Sequence, residues 1–292
     1  VYGFMNGYKG LIYGDYRLLT AQDFSGILTR GGTIIGSSRQ PFKMMRVPDE
    51  KGLDKVAAMK QNYYKLRLDC LVILGGNGTQ KTANLLREEG LNIIHMPKTI
   101  DNDIYGTDMT FGFYSAVGQL CLYAGIAGGA DIILIPEIPY DIDKVIEAID
   151  KRTKEGKGFT VIAVAEGAIS KEKAAMSKKE LKEYMKDYKY PTVSYEIAAK
   201  VQERSGTEVR VTVPGHTQRG GSPCPYDRVL STRLGAAGAR AIMNGDFGYM
   251  IGIVNGKTKK VPLEDVAGKL KSVSPEDQIV KEAKLIGISF GD

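Results

Sequence analysis

Met96-Pro97-Lys98-Thr99-Ile100-Asp101-Asn102-Asp103 closes one short apolar run, 93–96, and Gly75-Gly76-Asn77-Gly78-Thr79 closes another, 70–74. Runs of that length bounded by turn residues read as buried strands. Each cluster then stands where a strand leaves its sheet, which is where open α/β sheets bind ligands. Glycines let backbone N–H groups approach phosphate closely, and a helix start behind them favours negative charge. Two carboxylates two residues apart, beside a lysine and a threonine, suit phosphoryl transfer: one takes a proton while another supports a metal. The glycine cluster is not a P-loop, because Lys81-Thr82 follows without the second glycine of that signature in its place.

Working outward, Leu53, Val56, Ala57, Lys60 and Tyr64 fall on helical spacing and place a helix over 51–67. A second is expected over 79–89, with Gly90 just past its end. Upstream, Arg30-Gly31-Gly32-Thr33-Ile34-Ile35-Gly36-Ser37-Ser38-Arg39 reads either as a glycine-rich turn or as a second phosphate-contacting loop with Arg39 as a charge clamp. His95, inside an apolar run, reads as a core histidine. The small-residue run 110–129 predicts close helix packing, followed by a strand over 131–135. Asp141 caps a helix whose Ile142, Val145, Ile146 and Ile149 form one face, and a strand over 159–165 delivers Glu166-Gly167. The charged stretch 171–189 reads as a solvated excursion without chemistry, carrying a capping box at Ser177 and Glu180.

A helix over 193–204 and a strand over 209–213 then lead to Pro214-Gly215-His216-Thr217-Gln218-Arg219-Gly220-Gly221-Ser222-Pro223. Arg210, His216 and Arg219 put three phosphate donors near one another, with glycines between. A helix over 226–244, a strand over Tyr249–Val254 and a polar C-terminal layer complete the chain. Strands alternating with helices imply α/β architecture with mostly parallel sheets and helices on both faces.

With 292 residues the chain can bury a sizeable core in one large or two ordinary domains. A net charge of +6 from dispersed lysines suits anionic small molecules and offers no basic block for nucleic acid. Cys70, Cys121 and Cys224 are odd in number and lack metal-ligand spacing, which fits a reducing compartment. No apolar run approaches the roughly 18 residues of a membrane span, so a cytoplasmic protein without membrane partners is expected. The chain opens at Val1 as though in mid-strand, and an N-terminal piece is expected to precede it.

Taken together, Gly75-Gly76-Asn77-Gly78-Thr79, Pro97-Lys98-Thr99-Ile100-Asp101-Asn102-Asp103 and Gly215-His216-Thr217-Gln218-Arg219-Gly220-Gly221 resemble the 6-phosphofructokinase family. The loop 30–39, Gly128-Gly129-Ala130 through Pro136-Glu137, and Ala165-Glu166-Gly167 match in the same order, so the resemblance runs from Gly3 to about Gly256. It implies two three-layer α/β/α domains: 1–112 plus about 218–266 for the phosphoryl donor, and about 113–217 plus 267–292 for fructose 6-phosphate. The implied reaction moves the γ-phosphoryl of ATP to the 1-hydroxyl of fructose 6-phosphate. Asp101 matches the general base, with Thr99, Lys98 and Asp103 beside it. Tyr8, Arg39, Gly75, Gly76, Asn77, Gly78 and Thr79 match the donor site, and Glu166, Arg210, His216 and Arg219 the sugar-phosphate pocket. Mg²⁺ is implied on Asp101, Asp103 and Asn77, although Asn77 replaces the usual aspartate and removes one charge. Arg210 is the candidate for a residue reaching a neighbouring subunit, which implies a homo-oligomer, a tetramer or else a dimer.

Against the family pattern, the opening strand with its Gly-Gly-Asp loop is missing before Val1. About thirty residues, the length of a βα unit, are also missing between the matches to Ser115–Gly118 and Leu120–Gly125. The missing stretch normally carries a central strand and a Met-Gly-Arg type turn. Pyrophosphate users of the family tend to carry aspartate at the position of Gly78 and lysine at that of Lys98, and common bacterial ATP users glycine at both. Gly78 with Lys98 is mixed and leaves pyrophosphate as the alternative donor; a non-catalytic sugar-phosphate-binding paralogue is the alternative to an enzyme. Diacylglycerol and NAD kinases share a similar glycine loop but lack the 97–103 and 215–221 clusters.

Overall fold

A computed structural model describes residues 1–116 and 121–292. In chain order its elements are β1 (Tyr2–Phe4), α1 (Tyr8–Tyr13), β2 (Tyr16–Leu18), α2 (Lys55–Lys65), β3 (Leu71–Gly75), α3 (Asn77–Glu88) and β4 (Ile93–Pro97). There follow α4 (Cys121–Ala127), β5 (Ile132–Leu134), α5 (Ile142–Lys154), β6 (Ile162–Val164), α6 (Lys171–Ala174), α7 (Lys178–Tyr184) and α8 (Val193–Ser205). The chain closes with α9 (Pro225–Met243), β7 (Tyr249–Val254), β8 (Lys257–Pro262), α10 (Leu263–Val266) and α11 (Gln278–Leu285). These fall into two compact units, Val1–Ala116 with Arg219–Lys271, and Val117–Gln218 with Ser272–Asp292.

In the first unit β3, β4, β7 and β8 form one sheet in that order. β3, β4 and β7 run parallel, and β8 returns antiparallel as an edge strand. Alternate side chains sort to opposite faces, as a pleated strand requires. Leu71, Ile73, Ile93 and Met250 pack with Leu11, Val56, Met59, Ala83, Leu86 and Leu263 from α1, α2, α3 and α10. Ile94, Met96, Ile251 and Ile253 instead pack with Leu230, Leu234 and Ala241 of α9. Three layers result. The approach of α9 depends on Gly238, where a Cβ would lie 2.2 Å from Met96 Cε. Val72 and Leu74, on β3 at the other edge, remain 41% and 52% exposed. β1 and β2 form a separate antiparallel pair.

The second unit repeats the layering around β5 and β6, which pair in parallel, with Ser289 bridging to Ile132. Ile132 and Leu134 pack with Val145, Ile149, Ile197 and Val201 of α5 and α8, while Ile133 and Ile135 meet Leu122, Val280 and Phe290. The close packing expected of the small-residue run occurs at Gly125, where a Cβ would lie 2.6 Å from Ile133 Cδ1. Part of that run, 117–120, lies outside the described residues.

Three expectations need correction. The segment 209–213 forms no strand among the described residues: it makes no ladder with β5 or β6, and a strand exists only through its ladder. The C-terminal region is not a polar layer, since Leu263, Val266, Val280, Ala283 and Phe290 are buried. The excursion 171–189 has its capping box at Ser177 and Glu180 but is not solvated throughout. Lys173 is buried in it, with Nζ 2.5 Å from Glu196 Oε2 and under the rings of Tyr184 and Tyr188. A lysine buries only when its charge is met, and Glu196 meets it from α8.

Candidate active site

The two sequence clusters meet because β3 and β4 are parallel neighbours with Gly75 opposite Pro97. Both strands release their loops at the same edge of the sheet. The carbonyl of Gly75 accepts Lys98 N–H (3.1 Å) and lies 3.1 Å from His95 Nε2, so the bases of both loops share one acceptor. His95 is fully buried, and burial pushes its pKa down to about 4. A carbonyl partner makes Nε2 the protonated nitrogen of the neutral ring, leaving Nδ1 without a partner.

α3 starts at Asn77, with Gly76 as its extended N-cap. The N–H groups of Asn77, Gly78 and Thr79 therefore have no acceptor four residues back. Its glycines differ in role. A Cβ on Gly75 would fall 2.5 Å from the Thr79 side chain, and one on Gly76 3.5 Å from Thr99 Cβ. On Gly78 it would meet nothing within 4 Å. Gly75 thus permits the helix start to fold back on the strand end, while Gly78 leaves that start open. The Tyr8 hydroxyl donates to the Thr79 carbonyl at 2.8 Å, and burial raises its pKa well above the ordinary value.

In the second loop the Thr99 hydroxyl donates to Asp101 Oδ2 (3.1 Å) and accepts Asp101 N–H (3.2 Å), leaving the Asp101 carboxylate oriented and exposed. Asn102 turns the chain with a φ of 49°, a left-handed conformation that asparagine tolerates, and its Oδ1 accepts Thr110 N–H at 3.0 Å. Thr110 Oγ1 donates to the Thr99 carbonyl at 2.9 Å. Asp103 turns the other way, toward α3: Asn77 Nδ2 donates to its Oδ2 at 2.5 Å. Burial, and then the charge of Asp101, raises the Asp103 pKa.

Among the described residues no group of three or more His, Cys, Asp or Glu gathers as a metal cage. Asn77 Oδ1 and Asp103 Oδ1 are nevertheless both buried without a hydrogen-bond partner. Two orphaned hard oxygens on residues already in contact fit Mg²⁺, which takes one or two protein oxygens and completes its shell with water and phosphate. Asp101, the third residue of the expected Mg²⁺ set, accepts the Thr99 hydroxyl through Oδ2 and stays exposed.

Tyr8, Gly75, Gly76, Asn77, Thr79, Lys98, Thr99, Asp101 and Asp103 are thus linked by described contacts in one unit, with Gly78 between Asn77 and Thr79 in the first turn of α3. Arg39 belongs to the same unit and is exposed, and no described contact ties it to them. Its loop is held by Ser38 Oγ on the Asn6 carbonyl (2.7 Å) and by Gly31 lying against the Gly221 carbonyl. In the other unit Glu166 occupies the exposed turn after β6, and Arg210 is exposed and paired with Glu208 at 3.0 Å. His216 and Arg219 lie in a 3-10 turn, Gly215–Arg219; their side chains lie outside the description.

Other residues hold the machinery without having been singled out. Asp227, buried in the first turn of α9, accepts Gly112 N–H (3.0 Å) and both N–H (2.7 Å) and Oγ–H (2.6 Å) of Ser115, tying down the chain beyond the second loop. An acid just after Pro225 at a helix start is a legible capping signal. Lys271 donates its N–H to the Asp103 carbonyl at 2.9 Å, and nothing in its sequence neighbourhood announces that contact.

The phosphofructokinase profile matches residues 1–121 and 115–242. The chain is 50% identical to an "ATP-dependent 6-phosphofructokinase" of Spirochaeta thermophila, covering 100% of this chain and 89% of the relative. That alignment spans 329 positions against 292 residues here, so at least 37 positions lack a counterpart in this chain. The two profile matches meet at 115–121, where the resemblance puts the missing stretch. A second relative, "ATP-dependent 6-phosphofructokinase 3" of Bacteroides thetaiotaomicron, is 40% identical over 100% of this chain and 90% of its own. The "pyrophosphate--fructose 6-phosphate 1-phosphotransferase" of Amycolatopsis methanolica is 36% identical over 94% of this chain and 87% of its own. Among solved structures, Pichia pastoris phosphofructokinase in the T-state superposes with a TM-score of 0.74 at 28% identity, over 91% of this chain and 34% of that one. On its sequence and on its fold, this chain belongs to the phosphofructokinase family.

Proposed function

We propose that the chain is an ATP-dependent 6-phosphofructokinase, transferring the γ-phosphoryl group of ATP to the 1-hydroxyl of fructose 6-phosphate. The observation that carries the reading is the shared loop edge of β3 and β4. It sets an open helix start beside a carboxylate oriented by a threonine. Asp101 acts as general base on the sugar hydroxyl, and Thr99, already hydrogen-bonded to it, orients the transferring group. The N–H groups at the start of α3 take the donor phosphates, Lys98 adds positive charge, and Tyr8 lines the nucleotide side.

Asn77 and Asp103 would hold Mg²⁺, which when bound neutralises charge on the terminal phosphates of the donor. Glu166, Arg210, His216 and Arg219 bind fructose 6-phosphate, with Arg210 serving a neighbouring subunit of a homotetramer or dimer in the cytoplasm. Open space at Gly78 favours a nucleotide, because no side chain there crowds the phosphate next to the sugar. Pyrophosphate is the second reading, favoured by Lys98 and by the Amycolatopsis relative.

Steady-state assays with ATP and with pyrophosphate test both. A kcat/KM for pyrophosphate well above that for ATP overturns the donor assignment. No fructose 1,6-bisphosphate from either donor would leave only a sugar-phosphate-binding protein.

A further inference from the structure

The second loop is anchored unevenly. Thr107 and Asp108 are fixed on β7 and the turn after it. Thr107 Oγ1 exchanges hydrogen bonds with Ile253, Asp108 N–H reaches the Ile253 carbonyl at 2.6 Å, and Gly256 N–H reaches Asp108 Oδ2 at 3.2 Å. Asp103 has no such tie to the sheet; its described contacts are Asn77 and Lys271. Lys271, 168 positions along the chain from Asp103, spans the two ends. Its N–H donates to the Asp103 carbonyl (2.9 Å), and Leu270 before it bridges Ile104 antiparallel. Its Nζ donates to the carbonyls of Thr107 (3.2 Å) and Asp108 (2.7 Å). The backbone N–H of Lys271 at one end and its half-buried ammonium at the other together close the segment 103–108 into a ring pinned to β7, alongside the Asn102 side chain, whose Nδ2 reaches the Asp108 carbonyl at 3.4 Å.

We propose that Lys271 is a positioning residue for Asp103, holding its carboxylate against Asn77 and the start of α3 by clamping 103–108 to the sheet. The kinetic consequence rests on the phosphotransferase reading; the structural one does not. Ile104 is buried in the core beside Met250, but with the Lys271 frame loosened the Asp103 carboxylate ahead of it samples positions in which Oδ2 no longer meets Asn77. Fixing both ends removes that freedom before a ligand arrives.

Lys271→Met keeps the stem and the backbone N–H while deleting Nζ. Hydrogen exchange of the full-length protein without ligand should then be about ten-fold or more faster at 103–108, since a charge-assisted bond is lost, with β4 and β7 unchanged. In the enzyme assay kcat/KM for Mg-ATP should fall about ten-fold with the KM for fructose 6-phosphate within about two-fold, and Lys271→Arg should recover part of the loss. Unchanged exchange at 103–108 in Lys271→Met overturns the clamp. So does exchange accelerated equally in β4 and β7, which marks general destabilisation. Faster local exchange with an unaltered Mg-ATP dependence overturns the positioning role. If the wild type transfers phosphoryl from neither donor, the functional reading falls, and the exchange comparison alone decides the clamp.

Discussion

Asp101 and His95 lie within one loop of each other and carry opposite demands. As the proposed base Asp101 has to be open to substrate, and its exposure together with the Thr99 hydrogen bond gives a fixed orientation without burial. Asp101→Asn keeps that shape and cannot take the proton, so kcat should fall about 10²–10⁴-fold with little change in fructose 6-phosphate affinity. Near-normal turnover in that variant refutes the base assignment. His95 must stay neutral. The folded protein holds its pKa near 4, against 6.5 for the free side chain, so at intermediate pH the unfolded chain binds a proton that the native chain refuses. Its contribution is complete above about pH 6.5 and drains away as pH falls toward 4, roughly 3 kcal/mol in all. Urea unfolding at pH 7 and pH 5 should show the wild type losing about 2 kcal/mol more than His95→Gln. Equal losses would clear His95 of that role. The sequence identified His95 as a core residue because its neighbours are apolar. It did not reveal the bond to Gly75, which depends on strand pairing.

At the scale of elements, β3, β4, α3 and the helix after Asp141 were legible because each has a strong period and a stop signal close by. The segment 209–213 reads as a strand from its alternating valines, yet forms no ladder: alternation reports a buried face, and a partner strand is not a local property. The same limit hid Lys271 and the Lys173–Glu196 pair, both of which join distant stretches. The start of α3 gives a clean contrast between two glycines. In Gly75→Ala the added carbon meets Thr79, so the helix start must shift, costing about 1–3 kcal/mol and weakening both substrates' turnover. In Gly78→Asp nothing is crowded in the free protein, so the melting temperature should hold within a degree or two of wild type, about what a change within 0.5 kcal/mol produces. Its carboxylate would repel nucleotide phosphate, so ATP use should fall at least about ten-fold while any pyrophosphate activity survives. Gly78→Asp losing both donors alike would mean that the open space at Gly78 does not face the nucleotide.

At the scale of the whole molecule, the sugar-phosphate residues raise the question of which chain each site belongs to. Arg210 extends from the second unit with its side chain 86% exposed and, among the described residues, Glu208 as its ion-pair partner, a pairing in open solvent that holds it weakly. An arginine kept outside the fold of its own chain is available to a neighbouring one, and a two-fold interface would exchange such residues reciprocally. Complementation separates this from a role within one chain. On the proposed roles Asp101→Asn lacks the base and Arg210→Ala a ligand of the sugar phosphate, so each alone should be nearly inactive. If Arg210 acts across subunits, a mixed pair holds one site with both residues intact and one with neither. Subunits dissociated, mixed in equal amounts and reassembled at random should then recover about one quarter of wild-type activity, since half the pairs are mixed and each has one working site of two. If Arg210 serves its own chain, no combination restores a complete site, and the mixture stays as inactive as its parents.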